Sequence, residues 1–362
     1  MLTNMNTETP YTTFTDDSFS NISTTLPPFS PVPEFLHVIQ KIICAFSFIA
    51  NILLIIVVLN YRKPHTTANL LIVNVAIAHI LLIVVRLPVI FVMEINTSTL
   101  GCKLVKGGTD WSQAASAATI CLLSLERRRA TKSLSRSSNV PQHKLAVGVA
   151  FLWIFTLGAT IRTFITWEAP FGLCFNTVDD EIYTCIFQVL FYILPLMIMS
   201  FAYGCVIRSL RYTSSGRSLQ PNDVRRILAT RRRVSITVFF ISVSFCILWF
   251  PYSVYVKLIW YVGGITADAR YDIHIIILSE TMIELNGCVN VLTLCILSHN
   301  FRQSLISYIC CWFKCESSRG CGCRNVAAPQ IPGDIKSNQI PSNNDNRTTR
   351  DTNVTCEQSS HV

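Results

Sequence analysis

The stretch CKLVKGGTDWSQAASAATICLLSLERRR, residues 102–129, sets a cysteine at one end of a mostly apolar run and an acid followed by three arginines at the other. Arg127 lies 25 positions after Cys102. At ~1.5 Å per helical residue that interval is roughly 37 Å, about the thickness of one bilayer. On such a helix Thr109, Gln113 and Ser116 precede Arg127 by 18, 14 and 11 residues, close to whole turns, so they share its face. One such helix is weak evidence, because basic residues commonly flank membrane spans.

The rest of the chain supplies the others. Of 362 residues 51% are hydrophobic and only 14% charged, too apolar for a soluble protein of this size. Windows of mostly apolar residues recur at about 35–60, 67–93, 103–126, 145–167, 183–207, 234–262 and 272–298. The expected fold is therefore all-α: a seven-transmembrane helix bundle over 35–300, with an N-terminal segment 1–34, a short amphipathic membrane-surface helix over 301–316 and a polar tail over 317–362.

The net charge of +9 would point to nucleic acid in a soluble protein, but its distribution points to a membrane. The odd-numbered connections are basic: Arg62 and Lys63, then Arg127 to Arg129 with Lys132, Arg136 and Lys144, then the run from Arg208 to Arg233. The segment between Thr163 and Ile207 has no Lys or Arg and carries Glu168, Asp179, Asp180 and Glu181. By the positive-inside bias the amino terminus lies outside and the carboxyl terminus in the cytoplasm, at the plasma membrane. Residues 1–34 lack a basic start and an apolar core, so the first span is expected to act as its own insertion signal. Asn21 and Asn96 head glycosylation sequons on the outer side.

Each span carries a polar or kink-making residue: Asn51, Asn74, Trp153, Pro195 with Tyr203, then Phe245, Trp249 and Pro251 as F-x-x-x-W-x-P, then Asn286 and Asn290, and Phe301-Arg302 after the last. The prolines remove backbone hydrogen bonds and so permit hinges, and the buried amides must find partners inside the bundle. In this arrangement the chain resembles the rhodopsin-like (class A) G-protein-coupled receptors over about 35–315, and Pro88 and Tyr252 are most like peptide-receptor subfamilies. The resemblance implies an extracellular ligand, a heterotrimeric G protein and arrestin as partners, and no catalysis or cofactor. It gives Glu126, Arg127, Tyr203, Phe245, Trp249, Pro251 and Asn290 roles in coupling and activation, with Glu126 holding Arg127 in the resting state. It also implies a disulfide from Cys102. Cys174 and Cys185 are the candidate partners; Cys185 lies ten residues before Pro195, inside the expected fifth helix, so Cys174 is the expectation.

The chain departs from the family at points of signal transmission. Where the second helix should carry aspartate in L-A-x-A-D, it reads Ile77-Ala78-His79. The carboxylate of the family's sodium site is thus missing, although Asn51, Ser116, Asn286 and Asn290 remain. A neutral His79 bonded to these asparagines is expected; the sharper alternative is a titrating one. In place of N-P-x-x-Y stands Asn290-Val291-Leu292-Thr293-Leu294, and Leu294 cannot replace the tyrosine that in relatives meets the counterpart of Tyr203 through water. Arg231 stands where many relatives place an acid that also holds the arginine, so a second restraint on Arg127 is expected to be absent.

For the ligand, Thr109 replaces the aspartate that aminergic receptors use, and Glu284 replaces the retinal-binding lysine of opsins. Candidate ligand-binding residues are Thr109, Asp110, Gln113, Trp249, Tyr252, Glu280 and Glu284. The competing reading of Glu284 is an internal ion pair with Arg86, which leaves Glu280 as the better anchor. With Asp179, Asp180, Glu181, Asp268 and Asp272 these acids make a net acidic mouth, which favours a short basic or amidated peptide. A lipid or other small molecule is the alternative, and so is a ligand-binding seven-helix protein that does not signal. Paired midplane charges or metal ligands, the marks of a transporter or membrane enzyme, do not emerge from the seven scattered histidines.

Phe301, Leu305, Ile309 and Trp312 repeat at helical spacing, as in a helix lying on inner-leaflet lipid. Cys310, Cys311 and Cys315 at its end are candidate palmitoylation sites rather than metal ligands. Ser360-His361-Val362 fits a PDZ ligand of form S-x-V.

Overall fold

The computed structural model describes residues 34–60, 66–91, 98–132, 141–169, 174–178, 181–215, 222–260, 269–298 and 301–308. The chain divides into a unit Met1–Cys321 and a unit Gly322–Val362, the second lying outside the described residues. Seven long helices run through the first: α1 (Glu34–Leu59), α2 (Thr67–Phe91), α3 (Thr99–Lys132), α4 (Gln142–Thr166), α5 (Glu181–Ser215), α6 (Asn222–Trp260) and α7 (Ala269–Leu297). A helical turn or two follows at 301–308. Between α4 and α5 the strands β1 (Trp167–Glu168) and β2 (Phe175–Asn176) pair antiparallel, Trp167 opposite Asn176.

The bounds agree with the apolar windows at the outer ends, and α3, α4, α5 and α6 overshoot them at the inner ones. α3 continues to Lys132 and α6 begins at Asn222, both through arginine-rich sequence. Apolar windows measure hydrocarbon thickness, whereas Arg, Lys and Ala carry a helix on into water.

Six of the helices are long and apolar enough to cross a membrane; α3 is not among them. It packs against α2, α4, α5 and α6, and Ser112, Gln113, Ala114, Ala115, Ser116 and Ala117 on it are fully buried. A helix walled in by protein has no lipid to match, so small and polar residues suffice. Gly107 and Gly108 let its neighbours in: a Cβ would lie 2.5 Å from the Phe164 ring of α4 at the first and 2.7 Å from Val85 of α2 at the second. α4 is the opposite case. Its Phe151, Ile154, Phe155 and Ile165 are exposed, as lipid-facing side chains are.

Both proline hinges take the form of widened turns. Pro195 has no N–H to bond the carbonyl of Phe191, and α5 opens to a π-turn at Val189–Ile193, where Leu194 N–H reaches back five residues to Val189. In α6 the π-helical segment Pro251–Trp260 starts at the proline itself.

Candidate ligand pocket and signalling relay

Two groups of charges in the outer half of the bundle are paired. Arg86 of α2 is 4% exposed and bridges two carboxylates of α7, Glu280 at 2.8 Å and Glu284 at 2.9 Å. Gln40 of α1 also donates to Glu284, at 3.3 Å. Glutamates at i and i+4 on one helix face present both carboxylates to one guanidinium. On the other side Asp110 of α3 accepts from Lys257 of α6 at 3.0 Å and from Thr163 of α4 at 3.1 Å. Asp110 is thus buried and faces protein.

These pairs tie up the described acids on which the expected acidic mouth was partly built. Arg86 and Lys257 compensate Glu280, Glu284 and Asp110, Lys103 lies 3.9 Å from Glu168, and Arg162 stacks on Tyr183. The physical reason is that an unpaired carboxylate inside a bundle is too costly to leave uncompensated. Asp179, Asp180 and Asp268 lie outside the described residues, as does the side chain of Asp272. Lys257 was missed in the sequence, although a lone cation inside an apolar window is itself the signal.

Between the paired charges Gln113 donates to Ser253 of α6 at 3.2 Å and to Gln188 of α5 at 3.4 Å. Thr109 is buried beside it on α3. Below Ser253 the rings of Tyr252, Trp249 and Phe245 form a buried column, with centroids 6.1 Å apart at the first step and 5.8 Å at the second. The structure therefore brings Thr109, Asp110, Gln113, Trp249 and Tyr252 together near the α3–α6 seam, with Glu280 and Glu284 across at the α2–α7 seam. The disulfide Cys102–Cys174 ties the outer end of α3 to the strand hairpin, with Cα atoms 5.6 Å apart, and Cys185 lies free in α5.

The inner half is held by neutral groups. The side-chain nitrogen of Asn290 lies 2.9 Å from His79 Nε2 and that of Asn286 3.4 Å from the same ring nitrogen, so His79 meets both asparagines. Ser244 of α6 donates to Asn290 at 3.1 Å, joining α6, α7 and α2. Asn74 donates to Thr119 at 2.8 Å and accepts from Trp153 at 2.9 Å, joining α2, α3 and α4. Ser242 of α6 donates to Tyr203 of α5 at 3.4 Å and lies 3.4 Å from Ser124 of α3. Sequence reasoning missed Ser124, Ser242, Ser244 and Thr119, which look like ordinary small residues until a partner is placed opposite them.

At the cytoplasmic end Arg127 is 7% exposed and forms an ion pair with Glu126. Arg231 does not leave α6 unfastened there. Its guanidinium donates to the carbonyl of Ala130 at 2.8 Å. That carbonyl lies in the last turn of α3, where no intrahelical N–H awaits it. Arg231 thus fastens α6 to α3 at Ala130 and not at Arg127, which pairs with Glu126. Asn21, Asn96, Cys310, Cys311, Cys315 and Ser360 to Val362 lie outside the described residues.

A multi-pass bundle with a disulfide-tethered outer loop, proline-hinged helices and an acid-arginine pair at its inner end defines a seven-helix membrane receptor. The model of the 7 transmembrane receptor (rhodopsin family) matches residues 50–293, and the chain belongs to that family. Its similarity to the bombesin receptor subtype-3 of Ovis aries is 24% identity over 310 residues, 78% of this chain and 76% of that protein. To the endothelin receptor type B of Homo sapiens it is 24% over 307 residues, 77% of this chain and 68% of that one. As a member of this family it is a receptor rather than an enzyme, and it couples an extracellular ligand to a G protein.

Proposed function

We propose that this receptor sits in the plasma membrane with its amino terminus outside and binds a short peptide in the outer half of the bundle. Relatives named for bombesin and endothelin, both peptides, support the ligand class. The carrying observation is the continuous path from Gln113 and Ser253 through Tyr252, Trp249 and Phe245 to Ser242, Ser124 and Tyr203. Ligand contact at Thr109 and Gln113 shifts the α6 segment that starts at Pro251, the ring column turns, and Arg127 leaves Glu126 for the G protein. A basic group on the peptide would have to displace Arg86 from Glu280, so the paired acids are poor anchors for it. Glycans at Asn21 and Asn96, acyl chains at Cys310, Cys311 and Cys315, a lipid-bound surface helix, arrestin recruitment by the tail and a PDZ contact at Val362 complete the reading.

Peptide-driven nucleotide exchange on a heterotrimeric G protein, measured with the receptor in lipid nanodiscs, tests this. Exchange that disappears in Arg127→Ala while peptide binding persists is the expected result. A peptide that binds the outer half and drives no exchange would overturn the signalling reading.

A further inference from the structure

Inside the bundle Arg86, Lys257 and Arg127 each face a carboxylate. Lys106 does not. It lies on α3 one turn inward of Cys102, and its ammonium sits over the Trp167 ring, 5.1 Å from the centroid. Among the described residues no carboxylate comes within ion-pair distance of it, and Glu280, whose field reaches it, is spent on Arg86. Lys106 is partly exposed, and a ring face is a modest partner for its ammonium, weaker than a charge-assisted hydrogen bond to a carboxylate.

A second observation lies along the same side of the helix. The hydroxyl of Thr109, the side-chain carbonyl of Gln113 and the hydroxyl of Ser116, 3, 7 and 10 residues after Lys106, are buried without a hydrogen-bond partner among the described residues. These spacings put them in one stripe that descends from the lysine. Burying a polar group without a partner is unfavourable, so a row of them is matched to a polar ligand and not to lipid.

We infer that Lys106 receives a carboxylate of the ligand, with the adjoining peptide groups bonded to Thr109 and Gln113: the inserted end of the ligand is acidic rather than basic or amidated. This rests on the peptide reading above and narrows it. The carboxylate comes from a free carboxyl terminus or from an acidic side chain; both offer Lys106 one negative charge and two acceptor oxygens.

The test uses the full-length receptor in nanodiscs and small probes in place of the unidentified ligand. N-acetyl-leucine carries a terminal carboxylate, N-acetyl-aspartic acid α-amide a side-chain one, and N-acetyl-leucinamide none. At about 20 mM, one or both carboxylates should raise the unfolding temperature of the wild type and Lys106→Arg by about 2–5 °C, and the neutral amide should not. The shift should vanish in Lys106→Gln. The carboxylate with the larger shift identifies the source. Failure of both carboxylates to shift the wild type overturns the inference, even if Lys106→Gln does not fold, and so does an undiminished shift in Lys106→Gln. The readout is independent of G protein. A receptor that shows the shifts but no peptide-driven exchange keeps the Lys106 site and loses the signalling reading. One that responds equally to peptide amides with Lys106→Gln does the reverse.

Discussion

The outer and inner halves of the bundle are cross-linked by different chemistry. Outside, α2 is joined to α7 and α3 to α6 by buried ion pairs, Arg86 with Glu280 and Glu284 and Lys257 with Asp110. Inside, the same helices are joined by neutral hydrogen bonds through His79, Asn290, Ser244, Ser242 and Ser124, with one charged donor, Arg231, on the Ala130 carbonyl at the cytoplasmic end. Removing one partner of a buried ion pair costs about 3–5 kcal/mol. Neutral interhelical bonds in membranes are worth about 0.6 kcal/mol on average. The outer half is thus built to hold a shape for a ligand, and the inner half to exchange partners at little cost, as a switch must.

The largest expected break in that contrast is Arg86→Met, which leaves two carboxylates buried without a cation. It should lower stability by about 3–5 kcal/mol, seen as lost surface expression and a lower unfolding temperature. Adding Glu280→Gln and Glu284→Gln should restore most of the loss. If the single variant is no worse than the triple one, the cluster is not the outer cross-link claimed for it.

Asp110→Asn strands Lys257, which retains the Tyr252 ring 5.8 Å away, so the loss should be smaller. A double-mutant cycle with Lys257→Met should give a coupling above about 1.5 kcal/mol. Coupling near zero would remove the distinction between the α3–α6 contact outside and its neutral counterpart within.

His79→Ala deprives Asn290 and Asn286 of an acceptor and should cost about 1–3 kcal/mol, mainly as altered basal exchange. His79→Asp sharpens the comparison by putting charge into the inner half. Sodium against potassium should then shift ligand affinity, an effect expected to be absent from the wild type. A wild type that already responds to sodium would contradict the neutral relay.

How much of this was legible in the sequence follows from what each residue must do alone. The seven helices were readable because lipid imposes apolar length on six of them, and α3 because of Cys102 and the Glu126–Arg127 pair at its ends. Pro195 and Pro251 announced hinges because proline acts on its own backbone, although the widening into π-turns was not predictable. Pairings were harder. His79 with Asn290 followed from the departure itself, but nothing local tells Lys257 that Asp110 lies opposite, or Arg231 that the Ala130 carbonyl is open. Arg86 with Glu284 was visible as an option; that it would also take Glu280 required the structure.

The smallest effect concerns Tyr203 and Leu294, both in the buried inner cluster. Tyr203 is approached by Ser242 across a long 3.4 Å contact, and Leu294 can offer no hydrogen bond. Tyr203→Phe should therefore cost about 0.5 kcal/mol, which is roughly a twofold change in ligand-independent nucleotide exchange. Leu294→Tyr supplies the second hydroxyl that the family's water-linked pair needs. In that background basal exchange should rise several-fold, and Tyr203→Phe should then abolish the rise. A tenfold loss from Tyr203→Phe in the wild type would mean that Tyr203 already has a strong active-state partner. The inner half would then not be the loosely held region that its neutral bonds describe.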